Sequence, residues 1–498
     1  MTEHLDVIVV GAGLSGIAAA HHLQTTAPWA DYAILEMRDA MGGTWDLFRY
    51  PGIRSDSDMH TMGYSFRPWK GTDSLAAGPD IREYIEATAR DEGIDQHIRY
   101  GHRIVAADWS TPDARWNVTA ERRDPATGEV HDVQLTAGFV FSCTGYYRYD
   151  RGHTPEFPGS DDFTGTIVHP QFWPEDLDYA GQRIVVIGSG ATAVTLIPAL
   201  AETAGHVTML QRSPTYIASV PEKDHLGIAA YKLLPDRWAG SFVRWFRALS
   251  TQWFYEFAQK RPRPIKKMLR KGVERELPDD FDIDTHFTPQ YDPWDQRLCA
   301  APAGDIFKVI RDGSASVVTD HIETFTPTGI KLQSGEELEA DIIVTATGLE
   351  LLFLGGIELS VDGDPVEVNE RLTYKGMMLE GVPNLAMAVG YTNASWTLKC
   401  DLTADYVARL LTAMRERGQA QCTPVNTDGN VSPEPLLTLT AGYIQRSLHL
   451  LPRQGQAAPW RNYQSYWRDY RAMKRGEMFD GSLVLSNPTS QPELEGVG

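Results

Sequence analysis

Short apolar runs closed by glycine alternate along this chain with longer stretches of helix-forming composition. Asp6-Val7-Ile8-Val9-Val10 is rich in β-branched residues and lacks polar alternation, so it predicts a strand buried on both faces of a parallel sheet. Ile17-Ala18-Ala19-Ala20-His21-His22-Leu23 predicts the helix that follows, and Tyr32-Ala33-Ile34-Leu35 a second strand. The same order returns later in the chain. Arg183-Ile184-Val185-Val186-Ile187 predicts a strand, Val194-Thr195-Leu196-Ile197 a helix ending near Pro198, and His206-Val207-Thr208-Met209-Leu210 another strand. Residues from Val220 to Trp294 break this pattern. They are rich in Trp, Phe, Arg and Lys and predict a helical insert, with the basic run from Lys260 to Arg275 on a solvated helix face and a weak membrane-surface contact as the alternative. Val382 to Gly390 reads as a closing strand and turn. Gly418 to Pro435 predicts a loop, and Ser486 to Gly498 a poorly ordered tail.

The turns between these elements carry chemistry. Gly11-Ala12-Gly13-Leu14-Ser15-Gly16 fits G-x-G-x-x-G between a strand and a helix. Gly11 permits the tight turn, Gly13 lets the backbone approach a pyrophosphate, and Gly16 lets helix and strand pack closely. The helix start offers unpaired N–H groups to phosphate. Glu36 closes the second strand about twenty residues beyond Gly16, where a carboxylate accepts hydrogen bonds from both ribose hydroxyls and repels a 2′-phosphate. The alternative is a glycine turn that only packs.

The second turn, Gly188-Ser189-Gly190-Ala191-Thr192-Ala193, fits G-x-G-x-x-A. Its second strand ends in Gln211-Arg212-Ser213, a guanidinium and a hydroxyl where the first unit has Glu36. An arginine fork matches phosphate, so Gly188, Ser189, Gly190, Thr192, Arg212 and Ser213 predict a site for NADPH rather than NADH. A plain surface arginine is the alternative for Arg212. The fold class that follows is α/β, with two Rossmann-like dinucleotide-binding domains and a helical insertion. The expected division is 1–145 and 349–498 for the first domain and tail, 146–220 and 295–348 for the joint and second domain, and 221–294 for the insert.

Composition narrows the function. The chain has 498 residues, 42% of them hydrophobic and 22% charged, as in ordinary globular proteins, with a formal net charge of −20 that argues against nucleic acid as a partner. Cys143, Cys299, Cys400 and Cys422 are the four cysteines, with no C-x-x-C spacing, which disfavours both a disulfide scaffold and a disulfide reductase. Neither a basic leader nor a run long enough to span a membrane is read, so a reducing cytoplasm is the expected compartment. No metal is assigned.

Between the two turns, Phe163-x-Gly165-x-x-x-His169-x-x-x-Trp173-Pro174 fits F-x-G-x-x-x-H-x-x-x-W-P/D. With both glycine turns, Gly42-Gly43-Thr44-Trp45, Arg49-Tyr50-Pro51-Gly52 and Asp341 to Gly348, the chain resembles type I Baeyer–Villiger monooxygenases over almost its whole length. The runs Gly43 to Met59 and Gly390 to Lys399 resemble a mycobacterial branch that activates thioamide prodrugs. The resemblance implies FAD in the first site, met by Gly43, Thr44 and Trp45, and NADPH in the second. It implies oxygen transfer through a C4a-(hydro)peroxyflavin to ketones, giving esters, and to the sulfur of sulfides and thioamides. It further implies that Arg297, in Asp292-Pro293-Trp294-Asp295-Gln296-Arg297-Leu298, is the catalytic arginine and that Asp56 orients it. Many relatives carry lysine where this chain has Gln296. His169 is expected to act on the joint between the domains rather than as a general base. A flavin N/S-monooxygenase without ketone activity and a non-catalytic FAD/NADP redox sensor are the alternatives.

Overall fold

The computed structural model describes residues 2–488 apart from Arg297, Asp428, Asn430 and Thr438. Two sheets organise it. In the first, the strands Ile98–Arg99, Tyr32–Leu35, Glu3–Val10, Val130–Ser142 and Leu385–Met387 lie side by side and parallel, in that order. Val7, Ile8, Val9 and Val10 are all buried, as an unbroken apolar run requires when both faces are covered. The first half of Val130–Ser142 also pairs antiparallel with Arg115–Arg123, which pairs with His102–Ser110. The second sheet is parallel throughout, in the order Ala315–Thr319, His206–Gln211, Arg183–Ile187, Ile342–Thr345 and Thr166–Val168. Each sheet places its glycine turn at the carboxyl end of its central strand. That is the end at which open parallel sheets bind ligands.

The helix after the second turn runs Ala191–Ala201 and continues through Pro198 instead of ending there. A proline that late in a helix removes one N–H bond in the last turns. Buried Leu196, Ile197 and Leu200 keep the helix on its sheet regardless. The segment expected as a loop, Gly418 to Pro435, holds two strands. Gln421–Pro424 pairs with Leu483–Ser486, and Glu434–Pro435 with Arg453–Gln454. Both partners lie far downstream, so local composition carried no trace of the pairing. The first of these also draws Ser486 into a strand, whereas the tail expected to be poorly ordered lies, from residue 489, outside the described residues.

The insert is helical, with His225–Leu233, Asp236–Lys260, Pro262–Glu276 and Ile283–Phe287. In Pro262–Glu276, Ile265, Leu269 and Val273 are buried at four-residue spacing, which leaves the basic residues on the solvated face. The insert is fastened to the first unit by buried charge. Arg244 donates to the carbonyls of His60, Thr61 and Gly63 and lies 3.6 Å from Asp401, which also accepts from or pairs with His22 at 2.9 Å. Burial would raise the Asp401 carboxyl, but His22 and Arg244 hold it well below the usual range. Among the described residues, no helix is long and apolar enough to cross a membrane.

Candidate active site between the two glycine turns

One cavity of about 1010 Å³ opens where the two units meet. That volume is at the upper end of the roughly 300–1,000 Å³ usual for a small-molecule or cofactor site. Gly11, Gly13, Glu36, Gly43, Thr44, Trp45, Asp56 and Thr192 all line it. The turn around Gly11 is forced by a φ of +102° and by Cys143, whose carbonyl oxygen would lie 2.8 Å from an added Cβ. Gly13 begins the helix Leu14–Thr26 with no side-chain cap and no acidic residue in the first turn, so the first N–H groups face the cavity available to an anion. Gly43, at φ +57°, meets it closely, with Gly13 Cα 3.1 Å from an added Cβ. The two glycine motifs therefore form a single cradle that side chains would fill. Gly16 sits behind it. Its added Cβ would fall 1.9 Å from the Gly11 carbonyl oxygen, so it serves helix–strand packing.

Glu36 is buried at the far end of the cradle, where its carboxylate accepts from Ala12 N at 2.8 Å and Arg38 N at 2.9 Å. Burial raises its carboxyl, and those two backbone donors oppose the rise. Each oxygen keeps a lone pair for a further donor. Below the cradle, buried Asp46 gathers Arg38, Arg49 and Arg82. Asp46 lies in the short helix Thr44–Leu47 that starts at Gly43, so this cluster fixes the position of Thr44 and Trp45.

The loop after this helix reaches the second unit. A Cβ on Gly52 would lie 2.8 Å from both Ala199 Cβ and the Thr195 carbonyl oxygen, and buried Tyr50 hydrogen-bonds Thr192. Burial pushes the Tyr50 phenol above its ordinary range. Arg54 pairs with Asp305, and Asp58 caps the helix Met59–Met62 by accepting from Thr61 N. All three charges of this loop, Arg54, Asp56 and Asp58, line the cavity. Arg297 lies outside the described residues, whereas its neighbours Gln296 and Leu298 line the cavity.

The rest of the second set gathers at the carboxyl ends of the second sheet. Gly188 has a φ of +136°, and Gly190 starts the helix Ala191–Ala201, again without a side-chain cap or early acidic residue. Ser189 Oγ donates to the Ser213 carbonyl at 3.2 Å and bonds Thr215 Oγ1 at 2.8 Å, so this turn and the segment after Arg212 are tied together. Arg212 and Ser213 are exposed. Arg446 was not anticipated. Its Nη2 would lie 3.8 Å from a Cβ on Gly348, and burial together with the nearby positive charge of Arg212 pushes it below the ordinary arginine range. It comes from the short helix Gly442–Ser447, far from either turn in sequence, and no local motif marks it.

The fingerprint residues Phe163, Gly165, His169 and Trp173 stand away from the cavity wall, on either side of the edge strand Thr166–Val168. Trp173 is buried with Ile184, Val186, Ile342 and Val344 on one face of the second sheet, and Phe163 with Val185, Ile187 and Ile343 on the other. Gly165 has no room for a Cβ, which would fall 2.3 Å from the Asp341 carbonyl oxygen. His169 lies where the chain crosses between units. The outgoing strand Tyr147–Gly152 pairs antiparallel with the returning Leu349–Leu351. Gln171 N donates to His169 Nδ1 at 3.2 Å, which leaves Nε2–H to donate to the Gly348 carbonyl at 3.3 Å. Burial holds the imidazole below its ordinary value, as this neutral tautomer requires.

The comparisons agree with this architecture. Residues 5–244 match the model of the flavin-binding monooxygenase-like family. The FAD-containing monooxygenase EthA of Mycobacterium tuberculosis is 53% identical over 484 residues, which cover 97% of this chain and 98% of that protein. Among solved structures, an oxidized steroid monooxygenase bound to NADP superposes with a TM-score of 0.76 at 21% identity, over 97% of this chain and all of that one. OTEMO in complex with FAD and NADP gives 0.71 at 22% identity, over 86% of this chain and 88% of that one. With that much identity carried across nearly every residue, the chain belongs to the flavin-binding monooxygenase-like family.

Proposed function

We propose that this protein is an FAD-dependent monooxygenase that consumes NADPH and O₂, converts ketones to esters and oxidises sulfides and thioamides at sulfur. One observation carries the reading. A single cavity is lined both by the first cradle, Gly11, Gly13, Glu36 and Gly43, and by Thr192 of the second turn, so ligands of the two turns share one space. The relatives support the cofactors, since EthA is an FAD-containing monooxygenase and OTEMO binds FAD and NADP.

In this reading Gly11, Gly13, Glu36, Gly43, Thr44, Trp45 and Asp56 hold FAD, with Gly16 letting the helix pack behind them, the uncapped helix start toward the phosphates and Glu36 toward the ribose. Gly188, Ser189, Gly190, Thr192, Arg212 and Ser213 hold NADPH, with Arg212 toward the 2′-phosphate. When bound, the flavin takes electrons from the nicotinamide and activates dioxygen. The protein's part is to place charge and exclude water. Arg297 presents a fixed cation to the negative charge that develops on the substrate oxygen, a contribution of about 3–4 kcal/mol in sites of this kind. Asp56 fixes the direction of that guanidinium. His169 keeps the two units in register without exchanging a proton with substrate. Four buried thiols fit a reducing cytoplasm.

The test incubates the purified, flavin-loaded protein with NADPH, O₂ and a panel of ketones, sulfides and thioamides, followed by mass analysis of products. Esters and S-oxides carrying one atom from labelled O₂ are expected. S-oxides without esters would leave an N/S-monooxygenase, and no labelled product at all would leave a redox sensor.

A further inference from the structure

The insert helix Asp236–Lys260 has two working faces. Arg247, Ala248 and Thr251 line the cavity. On its other side Trp238, Phe242, Phe246, Leu249 and Trp253 are exposed. Their spacing of four, four, three and four residues places them on one stripe about 80° wide, since each residue advances roughly 100° around a helix. Trp238 is 71% exposed and Trp253 66%, and the preceding helix adds Leu233 at 78% together with Ile228 and Leu234. Large apolar residues that stand singly on a surface need no explanation, but an aligned run of this length does.

The charge around the stripe is the reverse of the charge of the whole. The chain carries a net −20, yet residues 228–271 hold eleven Lys and Arg against two acidic residues. Lys232 and Arg237 flank one end of the stripe, and Arg261, Arg263, Lys267 and Lys271 follow its other end. All six are exposed, and none forms an ion pair with another described residue. We infer that this face is a docking surface for a membrane leaflet containing anionic lipid. The helix lies in the interface with its tryptophans at headgroup level and the flanking cations against lipid phosphates. The same helix would then bring the wall of the cavity next to the phase in which apolar substrates dissolve. A second copy of this chain suits the face less well. A symmetric pair would set the same unneutralised cations against each other.

Flotation of the flavin-loaded full-length protein tests this. It should rise with vesicles of phosphatidylcholine mixed equally with phosphatidylglycerol, bind vesicles of phosphatidylcholine alone more weakly, and lose the difference in high salt. Trp238→Ser combined with Trp253→Ser should weaken partition by on the order of a hundredfold, with flavin spectrum and NADPH oxidation unchanged. Lys267→Glu with Lys271→Glu should reduce binding to the anionic vesicles alone. Absence of the wild-type protein from every vesicle fraction would overturn the inference. So would light scattering that shows a dimer which the double serine variant splits.

Discussion

The imidazole of His169 lies directly against Gly152, so that a Cβ built on Gly152 would fall 2.0 Å from Cε1 of the ring. The contact joins the edge of the second sheet to the strand that crosses from the first. Gly152→Ala must therefore move the ring off Gly348, and with it the register of the two units. Gly152 is not among the residues lining the cavity, so flavin content should stay normal. Product formation should fall on the order of a hundredfold, as for a misplacement of about 1 Å at a site of reaction. Stopped-flow reduction of the flavin by NADPH, compared with product yield per NADPH, measures both halves of this expectation.

The same histidine sets a sign for pH. Burial lowers its pKa from the ordinary 6.5, and the Gly348 carbonyl only partly restores it. As pH falls, the unfolded chain takes up the proton before the folded one does. The stabilisation is thus complete above about 6.5 and is lost as pH falls through the lower folded value. Thermal unfolding between about pH 7 and about pH 5 should show Tm falling with acid, and His169→Gln should flatten the part of that slope which this residue causes. An unaltered slope would mean that other groups carry it.

Arg446 comes from a distant part of the chain to lie beside Gly348, near enough to Arg212 to feel its positive charge. If both meet phosphate, Arg212→Ala should raise KM for NADPH by about ten- to a hundredfold, as expected for a lost charge-assisted bond of about 1.5–3 kcal/mol. KM for NADH should hardly change. Arg446→Gln should show the same selectivity if it meets the 2′-phosphate, and should weaken both dinucleotides alike if it meets the pyrophosphate. Steady-state kinetics with each dinucleotide separates these outcomes.

The parts of this molecule that were legible in advance are local in sequence. The strands Tyr32–Leu35 and Arg183–Ile187 were read from apolar runs, because a strand buried on both faces has no polar positions to obscure it. The glycine turns were read because their spacing between a strand and a helix is local, although the backbone that crowds Gly11 and Gly188, at Cys143 and Ala346, lies far along the chain. What escaped was made by distant contacts. Gln421–Pro424 becomes a strand through Leu483–Ser486. Arg446 gains its place only when the chain returns over Gly348. Asp46 stood in plain view beside Gly43-Thr44-Trp45, but its three partners, Arg38, Arg49 and Arg82, all lie outside that motif.

That carboxylate supplies a stability prediction. Asp46 is buried while Arg38, Arg49 and Arg82 keep partial access to water. Asp46→Ala leaves three cations crowded without their counter-charge. The cost should be about 3 kcal/mol, near the lower end for a broken buried pair because the guanidiniums remain partly hydrated. Tm should fall by several degrees, and flavin should be lost more readily on dilution, since the helix that carries Thr44 and Trp45 loses its anchor. Differential scanning calorimetry and flavin fluorescence after gel filtration report the two effects separately.

The role proposed for Arg297 and Asp56 divides into charge and direction, and two substitutions tell these apart. Arg297→Ala removes the cation, so flavin reduction by NADPH should stay near normal while oxygen transfer is lost and the consumed NADPH appears as hydrogen peroxide. The expected loss in product formation is about two to three orders of magnitude, the usual effect of deleting one preorganised charge donor. Arg297→Lys keeps the charge but not the planar fork, and should recover only a small part of the rate. Asp56→Asn keeps the cation and removes its orienting charge, so it should resemble the lysine variant more than the alanine one. Peroxide yield per NADPH, measured alongside product, is the deciding quantity. Esters or S-oxides formed at the wild-type rate by Arg297→Ala would remove this residue from the reaction, and a silent Asp56→Asn would leave the guanidinium with some other support.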